Sequence, residues 1–351
     1  MNQQADSLDE LRALRALSVR IGKDPALVQA AGGNTSIKHD GILWIKASGT
    51  WLSQAHDRNI MVPVRLKPLQ SALAAGDPAA EKAQSFVVKD ANPEGLRPSI
   101  ETTLHAAMPQ KVVIHAHCVE TIAWSIRQDG EAELQDRMSA FNWAWIPYVR
   151  PGLPLSRAIA ERTDPDTSVL VLANHGLVVA ADTVAEAEAL LKDVCDALRE
   201  AARSLPETDI DALEEIARDT PYHLPRHRDT HAVAIDPLSR RAALGGSLYP
   251  DHVIFLGTGC TALKSGETLQ ALISDREASG NLAPAMLLIP GVGVLLHDSV
   301  SDSGEELARC LAHVTSRIQE DSEIRYLTAE QDYELLNWDA EKYRKQLDVG
   351  A

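Results

Sequence analysis

The chain has 351 residues, and at about 150 residues per domain this length predicts roughly two domains. Hydrophobic residues make up 45% and charged residues 24%, which is ordinary for a globular protein whose core needs no disulfides. Lys and Arg number 34 against 50 Asp and Glu, and the net charge of −16 argues against nucleic acid and anionic lipid as partners. A small anionic substrate stays open, because a pocket in an acidic protein can be locally positive.

The start of the chain predicts an amphipathic helix and then a β-hairpin. The helix ends near residue 21, and Gly32-Gly33-Asn34 after it is a loop signal. The hairpin strands cover residues 35–38 and 42–47, and Asp40-Gly41 between them is a strong two-residue turn signal.

Short apolar strands and helices follow. The predicted elements are a helix over 100–108, a strand over 111–116, a helix over 119–126, strands over 168–173 and 177–180, and a helix over 183–204. Further along, strands are predicted over 253–256, 285–289 and 292–296, and helices over 267–274, 304–320 and from 329 onward. We therefore expect a first domain over 1–204, a polar linker or excursion over 205–232, and a smaller α/β lobe of open role over 233–351.

Cysteine usage and the apolar runs predict a cytoplasmic protein. No CxxC pair exists, so a disulfide framework or a zinc ribbon is not expected among Cys118, Cys195, Cys260 and Cys310. The first residues are polar and acidic, unlike a signal peptide. No apolar run approaches the 18 or so residues that cross a bilayer, so no membrane partner is expected.

Three histidines are candidate metal ligands. In His115-Ala116-His117, at the end of an apolar strand, both imidazoles point to one face of the strand. His175 lies in a turn that Gly176 permits, at the end of another apolar strand. Three imidazoles with an open fourth position are typical of catalytic zinc. Taken one motif at a time, buried or turn histidines with ordinary hydrogen bonds explain the pattern equally well.

Glu101 is the candidate acid/base. It lies near the start of a predicted helix, where the helix dipole alone also favours a carboxylate. His105 follows four residues later, and we interpret it as a structural partner and not a ligand. General acid/base work by Glu101 calls for a pKa nearer neutrality than that of a free glutamate.

Small polar loops are candidate anion-binding elements. Backbone N–H groups and hydroxyls cradle an oxyanion well, although such fragments are also common in ordinary turns. The loops are Gly33-Asn34-Thr35-Ser36, Ser48-Gly49-Thr50 and Ser99.

Five motifs occur in one order along residues 8–204: GGNTS, SGT, SxE, HxH and NHG. Together they resemble the class II aldolase/adducin family. The resemblance implies a three-layer α/β/α fold with a central, mostly antiparallel sheet, a catalytic domain over 1–204 and a homotetramer. It implies zinc ligands at His115, His117 and His175 and an acid/base at Glu101. It also implies substrate-phosphate contacts from Gly33, Asn34, Ser48, Gly49 and Ser99.

One feature departs from that resemblance and another extends it. Family members that use phosphorylated sugars often have two hydroxyl residues before the glutamate, whereas this chain has Ser99-Ile100. Segments 248–252, 290–294 and 333–343 resemble the aldolase portion of bifunctional rhamnulose-phosphate aldolase/alcohol dehydrogenase proteins.

The resemblance implies retro-aldol cleavage of a ketose or ketose phosphate through a zinc-stabilised enediolate, with Mn²⁺ or Co²⁺ as other working ions. The same ligands suit a decarboxylase or an epimerase acting on a sugar-derived acid or a sugar phosphate. A non-catalytic adducin-like scaffold is the alternative from another class, although such members lack the metal histidines. The second proton donor is expected to be a tyrosine, and Tyr148, Tyr222 and Tyr249 are the candidates.

Overall fold

Asp40 and Gly41 form the turn of the predicted hairpin, with φ of +47° and +74°. Positive φ at both central positions is what a type I′ turn requires, and that turn matches the twist of the strands it joins. These strands are β1 (Asn34–His39) and β2 (Ile42–Lys46), which pair antiparallel. The hairpin expected from the sequence is therefore present.

The computed structural model describes residues 2–204, 207–339, 341–343 and 347. It divides into two units, of which the first comprises Met1–Thr121 and Glu131–Arg199 and the second Ile122–Gly130 and Glu200–Ala351. None of the helices in the described residues is both long and apolar enough to cross a membrane.

The first 199 residues contain five further strands: β3 (Met61–Arg65), β4 (Val112–Ala116), β5 (Trp143–Ile146), β6 (Val169–Leu172) and β7 (Gly176–Ala181). Their helices are α1 (Asn2–Gly22), α2 (Leu66–Ala74), α3 (Thr102–Ala107), α4 (Val119–Ser125), α5 (Gly130–Arg137), α6 (Leu153–Arg162) and α7 (Val184–Ala197). Short 3-10 helices cover Leu52–Ala55, Pro78–Glu81, Ala83–Phe86 and Lys89–Ala91.

The sheet of the first unit has the order β3-β2-β1-β4-β7-β6-β5. All neighbouring strands are antiparallel except β5 and β6, which are parallel. β4 lies at the centre and is buried along its whole length. This confirms the predicted mixed α/β fold with a central, mostly antiparallel sheet.

Two successive residues of β1 show that helices cover both faces of this sheet. The Thr35 hydroxyl lies 2.8 Å from the Ser18 hydroxyl of α1, whereas the Ser36 hydroxyl lies 2.7 Å from His105 Nδ1 of α3. Because side chains alternate along a strand, α1 and α3 lie on opposite faces. α7 packs with α1, and α6 packs with α3, which gives three layers.

Two helices differ from their predicted bounds. α7 starts with the capping box Thr183–Glu186 but ends at Ala197, not at 204, since the following residues enter the second unit. α3 starts at Thr102 and leaves Glu101 as its N-cap residue, because the backbone of Glu101, with φ of −97° and ψ of 15°, lies outside the helical region.

The second unit contains a smaller sheet with the order β8-β11-β10-β9. Its strands are β8 (Tyr222–His223), β9 (Thr261–Ala262), β10 (Met286–Ile289) and β11 (Gly293–His297). Its helices are α8 (Ile210–Ala217), α9 (Ala232–Ile235), α10 (Pro237–Leu244), α11 (Pro250–Leu256), α12 (Leu269–Ala278), α13 (Asp302–Thr315) and α14 (Ala329–Asn337), with a 3-10 helix over Arg228–His231.

The segment from residue 207 to 232, within the expected linker or excursion, contains regular secondary structure. It contains α8 and β8, and β8 pairs with β11. Leu213 and Tyr222 are buried in a core shared with β10 and α12. The segment is therefore part of the second unit, because its scattered apolar residues are enough to reach that core.

The strand predicted over 253–256 is wrong, since these residues lie in α11. Pro250 occupies the first turn of α11, where its missing N–H costs nothing. All seven residues of α11 are buried. A short run that is apolar on every side has no helical period, so its sequence does not distinguish a buried helix from a strand.

Candidate active site

Strand β4 positions the first two histidines. Val113 of β4 packs with α3 and α6, and the alternation of side chains puts His115 and His117 on that same face. The Nδ1–H of His115 donates to the carbonyl of Leu177 at 3.0 Å. This bond keeps the ring proton on Nδ1 and leaves the Nε2 lone pair of His115 available to a metal.

The turn between β6 and β7 positions the third histidine. Asn174 is fully buried and adopts φ of +52°, the left-handed conformation that reverses the chain before His175. At Gly176 a Cβ atom would lie 2.5 Å from the carbonyl oxygen of Ala116, so only glycine lets β7 approach this closely. The His175 ring centroid lies 4.9 Å from that of His115.

The three imidazoles fit a metal ion. One ring nitrogen each from His115, His117 and His175 lies within 4.8 Å of the others, and all three residues are buried. The Nε2 atoms of His115 and His117 are 3.2 Å apart. Bonds of about 2.0–2.1 Å on a tetrahedral zinc place two nitrogens about 3.3 Å apart. Within the described part of the chain, no other group of three or more such residues is arranged to hold a metal.

Glu101 lies against this cluster. Its Oε2 atom is 3.3 Å from His115 Nε2, and its Oε1 atom is 3.5 Å from His175 Nε2. The side chain makes no capping hydrogen bond to α3, so helix capping does not account for the carboxylate. Oε1 is buried and accepts no hydrogen bond from the described residues. A buried carboxylate oxygen of this kind calls for a cation or a substrate proton.

Opposing effects set the pKa of Glu101. Burial acts to raise it, but the three neighbouring imidazoles and a hydrogen bond from Asn34 outweigh burial and lower the pKa from 4.5 to about 2. The sequence-based expectation of a pKa nearer neutrality is therefore not met. Glu101 is therefore a carboxylate at neutral pH.

A line of hydrogen bonds leads from Glu101 into the protein. Asn34 Nδ2 donates to Glu101 Oε2 at 2.9 Å, and Asn34 Oδ1 is hydrogen-bonded to His105 Nε2. His105 Nδ1 lies 2.7 Å from the hydroxyl of Ser36. Burial lowers the pKa of His105 to about 3, so its ring is neutral. Both polar groups of the Asn34 side chain, expected from the sequence to meet a phosphate, thus have protein partners.

The predicted anion-binding loops lie next to one another. Ala47 and Pro98 form an antiparallel bridge, which brings Ser48 and Ser99 together. The N–H groups of these two serines already donate to backbone carbonyls, at 2.9 and 3.0 Å. Gly33 and Gly49 have φ of +58° and +75° and form the turns beside them. Contact between these loops and a substrate anion stays a prediction.

Sequence reasoning interpreted His105 as a structural partner of Glu101 but did not connect it with Asn34 and Ser36, although a signal for that grouping was present. Asn34 and Ser36 are alternate residues of one strand, so they share a face, and His105 is one helical turn after Glu101. Of the tyrosine candidates, Tyr148 belongs to the first unit, whereas Tyr222 and Tyr249 belong to the second. The Tyr222 hydroxyl donates to the carbonyl of Pro284 at 2.9 Å.

The family model described as Class II Aldolase and Adducin N-terminal domain matches residues 14–202. The chain belongs to this family. Its members typically use a divalent metal, and the cluster of His115, His117 and His175 could bind one.

A curated relative and the solved structures match about half of the chain. The uncharacterized oxidoreductase YuxG of Bacillus subtilis (strain 168) is 32% identical over 176 residues, which cover 46% of this chain and 25% of that protein. The match thus spans about a quarter of the length of this aldolase-family relative.

Two solved structures show similarity to this class II aldolase family member. The N-terminal class II aldolase domain of a conserved protein from Thermoplasma acidophilum shows 26% identity and a TM-score of 0.46, covering 53% of this chain and 90% of that one. The l-fuculose-1-phosphate aldolase from Thermus thermophilus shows 19% identity and a TM-score of 0.35, covering 53% and 92%.

Proposed function

We propose that the chain is a metal-dependent lyase that cleaves a ketose or ketose phosphate by a retro-aldol reaction. The observation that carries this proposal is the placement of Glu101, whose two carboxylate oxygens lie 3.3 and 3.5 Å from the Nε2 atoms of His115 and His175. A buried carboxylate held against three buried imidazoles is not needed in a non-catalytic scaffold protein.

The residues of the site have separate roles in this proposal. His115, His117 and His175 hold a divalent ion, zinc in our proposal, which supplies Lewis-acid polarisation of substrate oxygens when bound. Glu101 accepts a hydroxyl proton of the substrate on Oε1, while Asn34 holds Oε2. As the carbon–carbon bond breaks, its electron pair stays on the ketose-derived fragment, and that fragment takes the proton back.

Further parts of the proposal concern the substrate and the assembly. Gly33, Ser48, Gly49 and Ser99 surround the anionic group of the substrate, and a tyrosine is the proton donor to the aldehyde oxygen in the reverse, bond-forming direction. We also propose a homotetramer, which light scattering of the purified protein tests directly.

Metal content per chain tests the site. We expect about one zinc per chain in the wild type and loss of zinc in His117→Ala, because two imidazoles bind a metal far more weakly than three. His39→Ala is the matched control, since His39 lies on the same sheet at the end of β1 and outside the cluster. A wild type that stays metal-free after zinc is offered would remove the basis of the proposal.

Product analysis of Glu101→Gln tests the reaction. We expect this variant to keep its zinc and to lose turnover by about 10²–10⁴-fold, the usual contribution of a general base. A ketose phosphate that yields one aldehyde and one ketone identifies the lyase. Release of CO₂ from a sugar acid, or an epimer with no cleavage, would show that a decarboxylase or an epimerase uses the same residues.

A further inference from the structure

Four buried side chains form one continuous line that ends at the carboxylate of Glu101. Ser36 and His105 are fully buried, and Asn34 and Glu101 are each 4% exposed. The contacts run from the Ser36 hydroxyl to His105 Nδ1, from His105 Nε2 to Asn34 Oδ1, and from Asn34 Nδ2 to Glu101 Oε2. No substrate or metal role is required of Ser36 or His105 in the proposed reaction.

The chemistry of the groups gives this line a single direction. An ionised carboxylate only accepts, so the Asn34 amide must donate to Glu101 through its NH₂ group. Its carbonyl oxygen then faces His105 and must receive the Nε2–H of the ring. A neutral imidazole has one N–H, so Nδ1 carries a lone pair and the Ser36 hydroxyl donates to it.

This direction decides how the Asn34 side chain is oriented. In the reverse orientation its carbonyl oxygen would face the Glu101 carboxylate, and two acceptors would oppose each other in a buried site. The N–H of His105 stabilises the correct orientation because it needs a carbonyl acceptor at this position. Ser36 in turn keeps the ring proton on Nε2.

We propose that His105 is a positioning residue for Glu101, acting through the side-chain amide of Asn34. With Oε2 held by Asn34, Oε1 is left for the proton of the substrate. The kinetic predictions of this inference rest on the proposed function. Its structural prediction concerns which nitrogen of the His105 ring carries the proton.

Kinetics of two variants test the role. His105→Leu removes the donor to Asn34, and we expect kcat to fall about 10–100-fold, as when a supporting hydrogen bond behind an active-site group is lost. KM and zinc content should stay within about twofold, because the three imidazoles are untouched. His105→Gln keeps an N–H donor and should recover most of the lost kcat. Equal kcat in the wild type and His105→Leu overturns the proposal.

A matched pair of serine variants separates positioning from packing. Ser36→Ala loses the donor to His105 and should lower kcat. Ser18→Ala removes an equally buried hydroxyl on the opposite face of the sheet, bonded to Thr35 and the Leu14 carbonyl, and should leave kcat unchanged. Equal effects on kcat from both variants would assign the loss to packing and overturn the proposal.

Nitrogen-15 NMR of the histidine rings decides the structural part without any substrate. We expect His105 at neutral pH to carry its proton on Nε2 and to be unprotonated on Nδ1. A proton on Nδ1, or on both nitrogens, overturns the proposal. If the ring has the expected form but the wild type turns over no sugar, the proposed function fails while the positioning of the carboxylate stands.

Discussion

The sulfur atoms of Cys118 and Cys195 lie 3.5 Å apart, although 77 residues separate them in the chain. Cys118 follows His117 directly, and Cys195 lies on α7. Both are free thiols. The wide spacing of the cysteines along the chain offered no sign of this pair, because the pairing depends on α7 packing against the central strands.

We expect hydrogen peroxide to convert this pair into a disulfide, with two thiols and one peroxide giving one disulfide and two waters. The sulfur atoms need to approach from 3.5 Å to a bond of about 2.05 Å, a movement of about 1.5 Å. Mass spectrometry of an unreduced digest should find the linked peptides. Cys195→Ser should abolish the link and Cys310→Ser should not. A link between Cys118 and another cysteine would contradict this expectation.

Gly33→Ala should destabilise the protein more than Gly41→Ala. Both glycines have positive φ, which costs an alanine about 1–2 kcal/mol. At Gly33 the new Cβ would also lie 2.6 Å from Val28 Cγ1 and 2.9 Å from the His115 carbonyl oxygen, whereas at Gly41 nothing lies within 4 Å. Overpacking of this kind adds about 1–3 kcal/mol. Urea denaturation of both variants measures the difference in the free energy of unfolding. Equal losses would show that the loop before β1 shifts easily to accommodate the added methyl group.

His252→Asn should make the protein less sensitive to acid. His252 is fully buried and burial lowers its pKa from 6.5 to about 4, so between these pH values the unfolded chain binds a proton that the native state does not. The free energy of unfolding should therefore fall by about 1.4 kcal/mol per pH unit through this group as the pH drops. In the variant, Asn Oδ1 can accept the Leu248 N–H that His252 Nδ1 accepts, and it does not titrate.

Denaturation of the wild type and the His252→Asn variant at several pH values from 7 to 4 measures their free energies of unfolding and tests this prediction. The unfolding free energy of the wild type should fall more steeply than that of the variant as the pH drops from 6.5 to 4. Parallel curves would mean that the ring is protonated with its ordinary pKa in the folded protein.

Two arginine–carboxylate pairs should differ in their effect on stability. Arg20 makes two bonds to Glu188, at 2.8 and 2.7 Å, but the side chains are 55% and 42% exposed, so Arg20→Met should cost at most about 1 kcal/mol. The second pair joins Arg203 to Asp236. The Asp236 side chain is only 7% exposed, and Arg203 also donates to the Thr315 carbonyl at 2.8 Å. Arg203→Met should cost about 3–5 kcal/mol, because it leaves a buried carboxylate without its cation. Denaturation of both variants in 1 M salt should weaken only the Arg20 effect.

Local signals predicted much of the first unit. Asp40-Gly41 specified the hairpin, and alternation along β4 was enough to put His115 and His117 on one face. The bounds of α3 were harder to predict, since Glu101 has a non-helical backbone conformation that no local sequence signal specifies. The partners of Asn34 depend on β1 lying beside α3, which a single sequence does not encode locally.

The second unit was less predictable, for a different reason. α11 is buried on all sides, so the period that distinguishes a helix from a strand is missing. Segment 205–232 is highly charged, and its few apolar residues reach the core through β8 and α8. Composition measures the average polarity of such a segment and not where its apolar residues point.

The pairing of His115 with Val178 across β4 and β7 makes the ligand set depend on strand register. Side chains alternate with a period of two, so a slip of one residue in this ladder would turn both β4 imidazoles toward the layer of α1 and α7. A chain that folds in the wrong register would therefore lose two ligands at once and not one. Tight binding of one free zinc ion per refolded chain would therefore distinguish correctly paired chains from chains with a slipped register.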